Sequence, residues 1–226
     1  QIGVLSIGSS DNGGITLNGA IVTDGAVSID GPVTLDTGAV SVTTADDAIT
    51  FSHTIDGAQA LTLVSGTAAT AIQDGIGEST ALSSLTITNG TANGTIEIEN
   101  IGGVTGATAI GNTSTTTLTL DGTVYKTTGA QVYTATGGDN IDITNTSNAA
   151  FTTTNTAITF GTANIELADG VDLTLDSGDG AGDITLVAID GHSSEAVTID
   201  AGTGTTSVGA IGAGTEIGAV TIGSSD

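Results

Sequence analysis

The chain has 226 residues, with 25 acidic side chains against a single basic one, for a formal net charge of −24. Such a chain repels phosphate backbones and anionic lipid surfaces, so nucleic-acid binding and membrane attraction are excluded as functions. Cys, Met and Trp are absent and only two Tyr and three Phe occur, so no disulfide framework and no large aromatic core are expected, and small β-branched residues must do the packing.

High net charge favours disorder only when hydrophobicity is also low. Here 38% of residues are hydrophobic and mean hydropathy is +0.29, and Val, Ile and Leu recur in short runs, so an ordered β structure is expected. The sequence opens on Gln1 without a charged-then-apolar leader, and no apolar run approaches the ~18 residues of a membrane span. With no Cys, it reads as a mature region, or an excised piece, of an exported protein: extracellular or cell-surface, and not inserted in a membrane.

Along the chain the recurring unit is an apolar-polar-apolar triplet. It begins at Ile15-Thr16-Leu17, Val27-Ser28-Ile29, Val33-Thr34-Leu35, Ile49-Thr50-Phe51 and Leu61-Thr62-Leu63. It continues through Leu85-Thr86-Ile87, Ile96-Glu97-Ile98, Leu118-Thr119-Leu120, Ile141-Asp142-Ile143, Ile165-Glu166-Leu167, Leu173-Thr174-Leu175, Ile184-Thr185-Leu186 and Val197-Thr198-Ile199. A period of two puts both apolar residues on one face of a short strand and the Thr, Ser or acid on the other. Asp24-Gly25, Asp30-Gly31, Asp56-Gly57, Asn89-Gly90, Asp121-Gly122 and Asp190-Gly191 supply tight turns between strands. No apolar stripe at helical spacing occurs, so almost no helix is expected.

Two longer repeats overlie this grammar. Thr43 to Phe51 aligns with Thr152 to Phe160, and Gln1 to Asp11 aligns with Glu216 to Asp226. The chain therefore reads as one repetitive segment, 1–226, forming one period of a longer array, with half-repeats near 1–108 and 109–226. The predicted fold is an all-β, elongated β-solenoid of short strands. Tandem immunoglobulin-like sandwiches are the alternative, disfavoured because sandwich strands run ~5 to 6 residues and bury bulky aromatics.

Ala48-Ile49-Thr50-Phe51, Thr54-Ile55-Asp56-Gly57-Ala58-Gln59-Ala60-Leu61-Thr62-Leu63, Thr80-Ala81-Leu82-Ser83-Ser84-Leu85-Thr86-Ile87 and Thr127-Thr128-Gly129-Ala130-Gln131-Val132-Tyr133 resemble the β-strand repeat regions of giant bacterial surface proteins, of the filamentous haemagglutinin-like and autotransporter-adhesin kind. The resemblance implies export, a right-handed parallel β-helix and a structural or adhesive role.

Chemistry-bearing residues are few. Uronate lyases need Arg, Lys or calcium, and the acids here are scattered through turns, so no enzyme is expected. His53 and His192 lack Ser and Asp at triad spacing, and Lys126 reads as a surface residue. Asp176, Asp179 and Asp183 crowd one Gly-rich turn, and Asp139 with Asp142 resembles one calcium-binding nonapeptide; these five are the calcium candidates, and no other cofactor is required. Asn89, Asn93, Asn112 and Asn145 lie in Asn-X-Ser/Thr contexts that would allow glycosylation. Outward Thr rows could order water as in ice-binding solenoids, but Glu97, Asp142 and Glu166 interrupt the pattern.

The expected function is a structural subunit or segment of an extracellular filament, sheath or surface adhesin. Its partners would be further copies of itself, meeting end to end through Gln1, Ile2, Leu5 and Ile7 on one side and Ile217, Val220 and Ile222 on the other, and a host or matrix surface. A carbohydrate-binding or ice-binding solenoid is the alternative.

Overall fold

The structure is a computed structural model that describes residues 2–8, 13–90, 93–138, 140–192 and 194–223. Among these residues there is no helix, and twenty-six short strands wind into a β-solenoid of about nine turns. Strand pairing is parallel throughout, coil on coil, which removes the antiparallel sandwich.

Each coil contributes to three faces. The first holds Ala20–Thr23, Val40–Thr44, Ala60–Val64 and their successors through Gln131–Thr134 and Ile158–Gly161. The second holds Leu5–Gly8, Val27–Asp30, Ile49–Phe51 and onward to Asn140–Ile143 and Asn164–Leu167. The third holds Ile15–Leu17, Val33–Leu35 and later Val124–Thr127, Ala149–Thr152, Leu173–Asp176, Ala196–Asp200 and Ala219–Gly223. In the last two coils, Ile184–Asp190 and Thr206–Ile211 run through the corner between the first and second faces and join them into one sheet. Leu5 pairs with Val27, a step of 27 − 5 = 22 residues, whereas Ile15 to Val33 takes 33 − 15 = 18 and Gln131 to Ile158 takes 158 − 131 = 27. The strands hold register while the turns absorb the difference.

Close coil packing explains the glycines at turns. Gly111 has φ 77°, and a Cβ there would stand 2.0 Å from the Thr134 carbonyl oxygen of the next coil, so a side chain is barred by both conformation and space.

The triplet alternation sets the interior. Val27, Ile29, Val33, Leu35, Ile49, Phe51, Leu61, Leu63, Leu173, Leu175, Ile184 and Leu186 are buried, as is Leu17, while Ile15 in the opening coil is only partly covered. Each such side chain contributes roughly 1.5–3 kcal/mol. The expectation that aromatics play no part in packing fails. All five are fully buried, and Tyr125, Tyr133, Phe151 and Phe160 meet inside, with Tyr125 and Phe151 stacked at 4.3 Å and Tyr133 and Phe160 at 4.9 Å. Tyr125 pairs with Phe151 on the third face and Tyr133 with Phe160 on the first, so one parallel ladder stacks each pair and the interior brings the pairs together.

Gln131 serves this cluster. Fully buried, it donates to the Tyr125 and Thr152 carbonyls, both at 2.9 Å, and accepts from the Tyr133 hydroxyl at 3.1 Å. Burial pushes the Tyr133 phenol well above its ordinary range, and Tyr125 likewise. The row containing Gln131 also runs through Thr108, whose buried hydroxyl has no hydrogen-bond partner.

The longer sequence repeats do not mark structural periods. Phe51 lies on the second face but Phe160 on the first, and Leu5–Gly8 lies on the second face but Ala219–Gly223 on the third.

Two outcomes follow for thermal melts. Thr108→Val, isosteric but without the unpaired hydroxyl, raises stability by about 1 kcal/mol. Phe151→Ala, which removes the centre of the aromatic cluster, lowers it by about 3–5 kcal/mol.

Candidate functional surfaces

The turns hold most of the acids, and several clasp the coil above. The Asp56 carboxylate accepts from the amides of Ser79 and Thr80 at 2.8 and 3.0 Å. Asp172 accepts from Ala196 at 2.7 Å, Asp183 from Thr205 at 2.7 Å and Asp190 from Gly214 at 2.8 Å. Asn100 does the same for Thr123 and Val124. Each partner lies one coil further on, so these side chains replace ladder hydrogen bonds where the backbone turns away from strand geometry.

Glu195 is the extreme case, and sequence reading passed over it. It is fully buried, and its carboxylate accepts from the amides of Gly170 at 3.0 Å, His192 at 2.7 Å and Ser194 at 3.2 Å. A buried charge is tolerated because several backbone donors converge on it. Only its isolation in Ser-Ser-Glu-Ala, outside the triplet grammar, marked it.

The calcium candidates fall into different surroundings. Asp176 accepts from the amide of Gly178 at 2.8 Å, forming a turn of its own, and Asp183 is engaged with Thr205. Asp179 sits exposed in the same turn, Asp142 lies on the second face, and Asp139 is outside the described residues. Among the described residues, no group of three or more His, Asp or Glu side chains is placed to hold a metal ion. The glycosylation reading changes at two positions. Asn89 and Asn145 are 2% and 6% exposed, with their amides donated to Ser65 Oγ and the Gly122 carbonyl, so neither is accessible in the folded chain.

On the second face, Asp142, Glu166 and Asp190 stand outward in consecutive register. Successive rungs are ~4.8 Å apart, so the three carboxylates repel at close range. Burial, and then the charge of Glu166, raises the Asp142 carboxyl above its usual range. Glu99 is raised similarly, by burial first and then by Asp121, Asp74 and Glu97. The Asn140 side-chain amide donates to Glu166 and blunts part of the repulsion.

The first face is the opposite. Its central outward row runs Ala20, Ser41, Thr62, Thr86 in register, then Ala109, Val132, Thr159, Thr185 and Ser207. Apart from Asp190 at the corner end of Ile184–Asp190, no charged residue lies in the first-face strands, and the turns 65–69, 81–83, 105–107, 111–114 and 128–130 beside the middle rungs carry none, whereas the turns beside the outer rungs hold Asp24, Asp36, Asp46, Asp47 and Asp183. Glu97, Asp142 and Glu166, which break the Thr pattern in the sequence, belong to the second face. Val22, Val132 and Val187 protrude from the first-face strands at 49%, 38% and 42% exposure.

Three shallow grooves complete the surface. One of about 310 Å³ brings Lys126 near Glu78 over the glycines 77, 102 and 103; one of about 320 Å³ lies beside Asp142, Glu166 and His192. A third, of about 330 Å³, is formed by Ile211, Glu216, Ile217 and Val220 at the last coil. His53 Nδ1 lies 3.4 Å from Asp30, and neither histidine is hydrogen-bonded to a Ser or Thr side chain among the described residues.

The assembly candidates sit at the two ends of the described stack. Ile2 and Val4 are 55% and 74% exposed, Leu5 and Ile7 partly so; Val220 and Ile222 are 44% and 54% exposed, and Ile217 packs partly against the core. Gln1 is outside the described residues. No protein-family model matches the chain, and no curated protein or solved structure matches it either.

The raised Asp142 carboxyl has a definite sign. The folded state holds its proton to higher pH than the unfolded chain, so this group costs stability as pH rises through the folded value and costs nothing below the unfolded one. Asp142→Asn should therefore melt about 1–3 °C higher than the parent at pH 7, a partly exposed repulsion being worth about 0.2–1 kcal/mol, with the gap closing near pH ~4. Glu195→Ala should lose about 3 kcal/mol, because buried amides are left unpaired, and Glu195→Gln should lose less.

Proposed function

We propose that this chain is a structural segment of an extracellular filament, sheath or surface adhesin, in which coils stack end to end through open strand edges. The observation that carries the reading is the pair of end coils. At each, apolar residues that continue interior columns are partly or wholly exposed: Ile2, Leu5 and Ile7 at one end, Val220 and Ile222 at the other. Unpaired parallel edges of this kind accept a further strand.

The coil path defines the joint. Beyond Ile211 the next rung of the second face corresponds to Leu5, and beyond Ile222 the next rung of the third face corresponds to Ile15. The joint is the same whether the next coil belongs to the same chain or to another copy. Adhesion to a host or matrix surface would then use the sides of the solenoid, leaving the ends for growth. Neither catalysis nor a cofactor enters the reading; calcium would act as a counter-ion that lets acidic coils approach.

Electron microscopy and light scattering test this. Concentrated protein should form fibres whose subunits join end to end, and Ile222→Asp or Ile2→Asp, each placing a charge in the joint, should shorten or abolish them. Compact monomers at every concentration, with and without calcium, would refute end-to-end stacking.

A further inference from the structure

We propose that the charge-poor first face is a lateral interface that pairs with the same face of a second copy, the two solenoids running antiparallel. Electrostatics select this face. Two chains of charge −24 repel, and the second and third faces carry outward acids such as Asp142, Glu166, Asp56 and Asp176. The first-face strands carry none apart from Asp190 at the corner end of Ile184–Asp190, and Val22, Val132 and Val187 are exposed on them, as Val124 is on the third face. A face poor in charge on an otherwise acidic molecule is where two copies approach with the least repulsion.

The size fits. Nine rungs at ~4.8 Å and an outward width near ~13 Å give roughly 500 Å² on each copy, so the pair buries about 1,000 Å², the lower bound for a specific interface.

The order of residues selects the mate. The central row reads almost alike from both ends about Ala109. A two-fold axis along the strand direction through that rung sets Ser41 against Thr185, Thr62 against Thr159 and Thr86 against Val132, all of similar size. Two residues further along the same rungs, the partly exposed Val64 falls against Gly161. Self-complementarity of this kind is what an isologous interface requires. A rigid lattice such as ice or a crystalline polysaccharide would instead call for a uniform hydroxyl row, and Ala109, Val132, Gly111 and Gly161 break uniformity.

The chain has no cysteine, so single introduced thiols report the geometry cleanly. Under mild oxidation Ala109→Cys should give a covalent dimer, whereas Ser41→Cys and Val124→Cys, the latter on the third face, should each stay single. Mixing Ser41→Cys with Thr185→Cys should restore cross-linking. In sedimentation experiments the parent should show a dimer that tightens with added salt, and Val132→Asp should weaken its association at least tenfold with circular dichroism unchanged. Ala109→Cys cross-linking no faster than Val124→Cys, or association insensitive to Val132→Asp but lost with Ile222→Asp, would overturn the lateral interface and leave only end contacts. Monomers that adsorb to ice or to an insoluble polysaccharide through this face would likewise overturn it, assigning the face to a lattice.

Discussion

Everything in this molecule depends on the in-register parallel ladder between coils. A parallel rung places each residue directly over one that points the same way, ~4.8 Å along the axis. The solenoid therefore amplifies whatever a column contains. Leu61 over Leu85 and Ile141 over Ile165 make continuous apolar rows in the interior. Tyr125 over Phe151 makes a ring stack. Asp142 over Glu166 over Asp190 makes a charge column that no sequence-local feature announces, because these acids are separated by a full coil each time.

The apolar columns offset the charge columns because they differ in reach. Burial acts on every rung at roughly 1.5–3 kcal/mol per side chain, whereas exposed like charges cost a fraction of that in water and are screened by salt. Position lowers the cost further. Many of the acids lie in turns or at strand ends, where Asp56, Asp172, Asp183 and Asp190 use their carboxylates to satisfy amides of the following coil. An acidic composition is thus partly a solution to backbone accounting at the corners of the coil, where regular pairing stops.

What the sequence made legible was the local rule. Val27-Ser28-Ile29 or Leu173-Thr174-Leu175 states in three residues which side chains go inside, and the rule survives because a strand's two faces are fixed by its pleat. Phase was not legible. Coil steps of 18 to 27 residues (33 − 15 and 158 − 131) mean that equal spacing in sequence does not mean the same face. That is why Thr43 to Phe51 and its later copy sit on different faces, and why Glu97 and Asp142 seemed to interrupt a Thr row to which they do not belong. The aromatic cluster was hidden for the same reason: Tyr125, Tyr133, Phe151 and Phe160 converge from two faces. Glu195 was hidden because its partners are backbone amides, which no residue pattern encodes. At the candidate sites, the crowding of Asp176, Asp179 and Asp183 in one turn was visible, but the commitment of Asp176 and Asp183 to amides was not.

The distribution of charge then gives the molecule two directions of contact with different physics. Along the axis, the proposed end contact would continue the parallel ladder and so be directional. Across the axis, acidic columns on the second and third faces keep neighbouring solenoids apart, and only the first face lets two surfaces approach without desolvating a charge. Such a contact draws on side-chain packing alone, with no ladder to extend, so it is the weaker of the two and the more sensitive to ionic strength. On the proposed reading, end contact would be the stronger of the two and lateral pairing would follow through the face that carries the fewest acids.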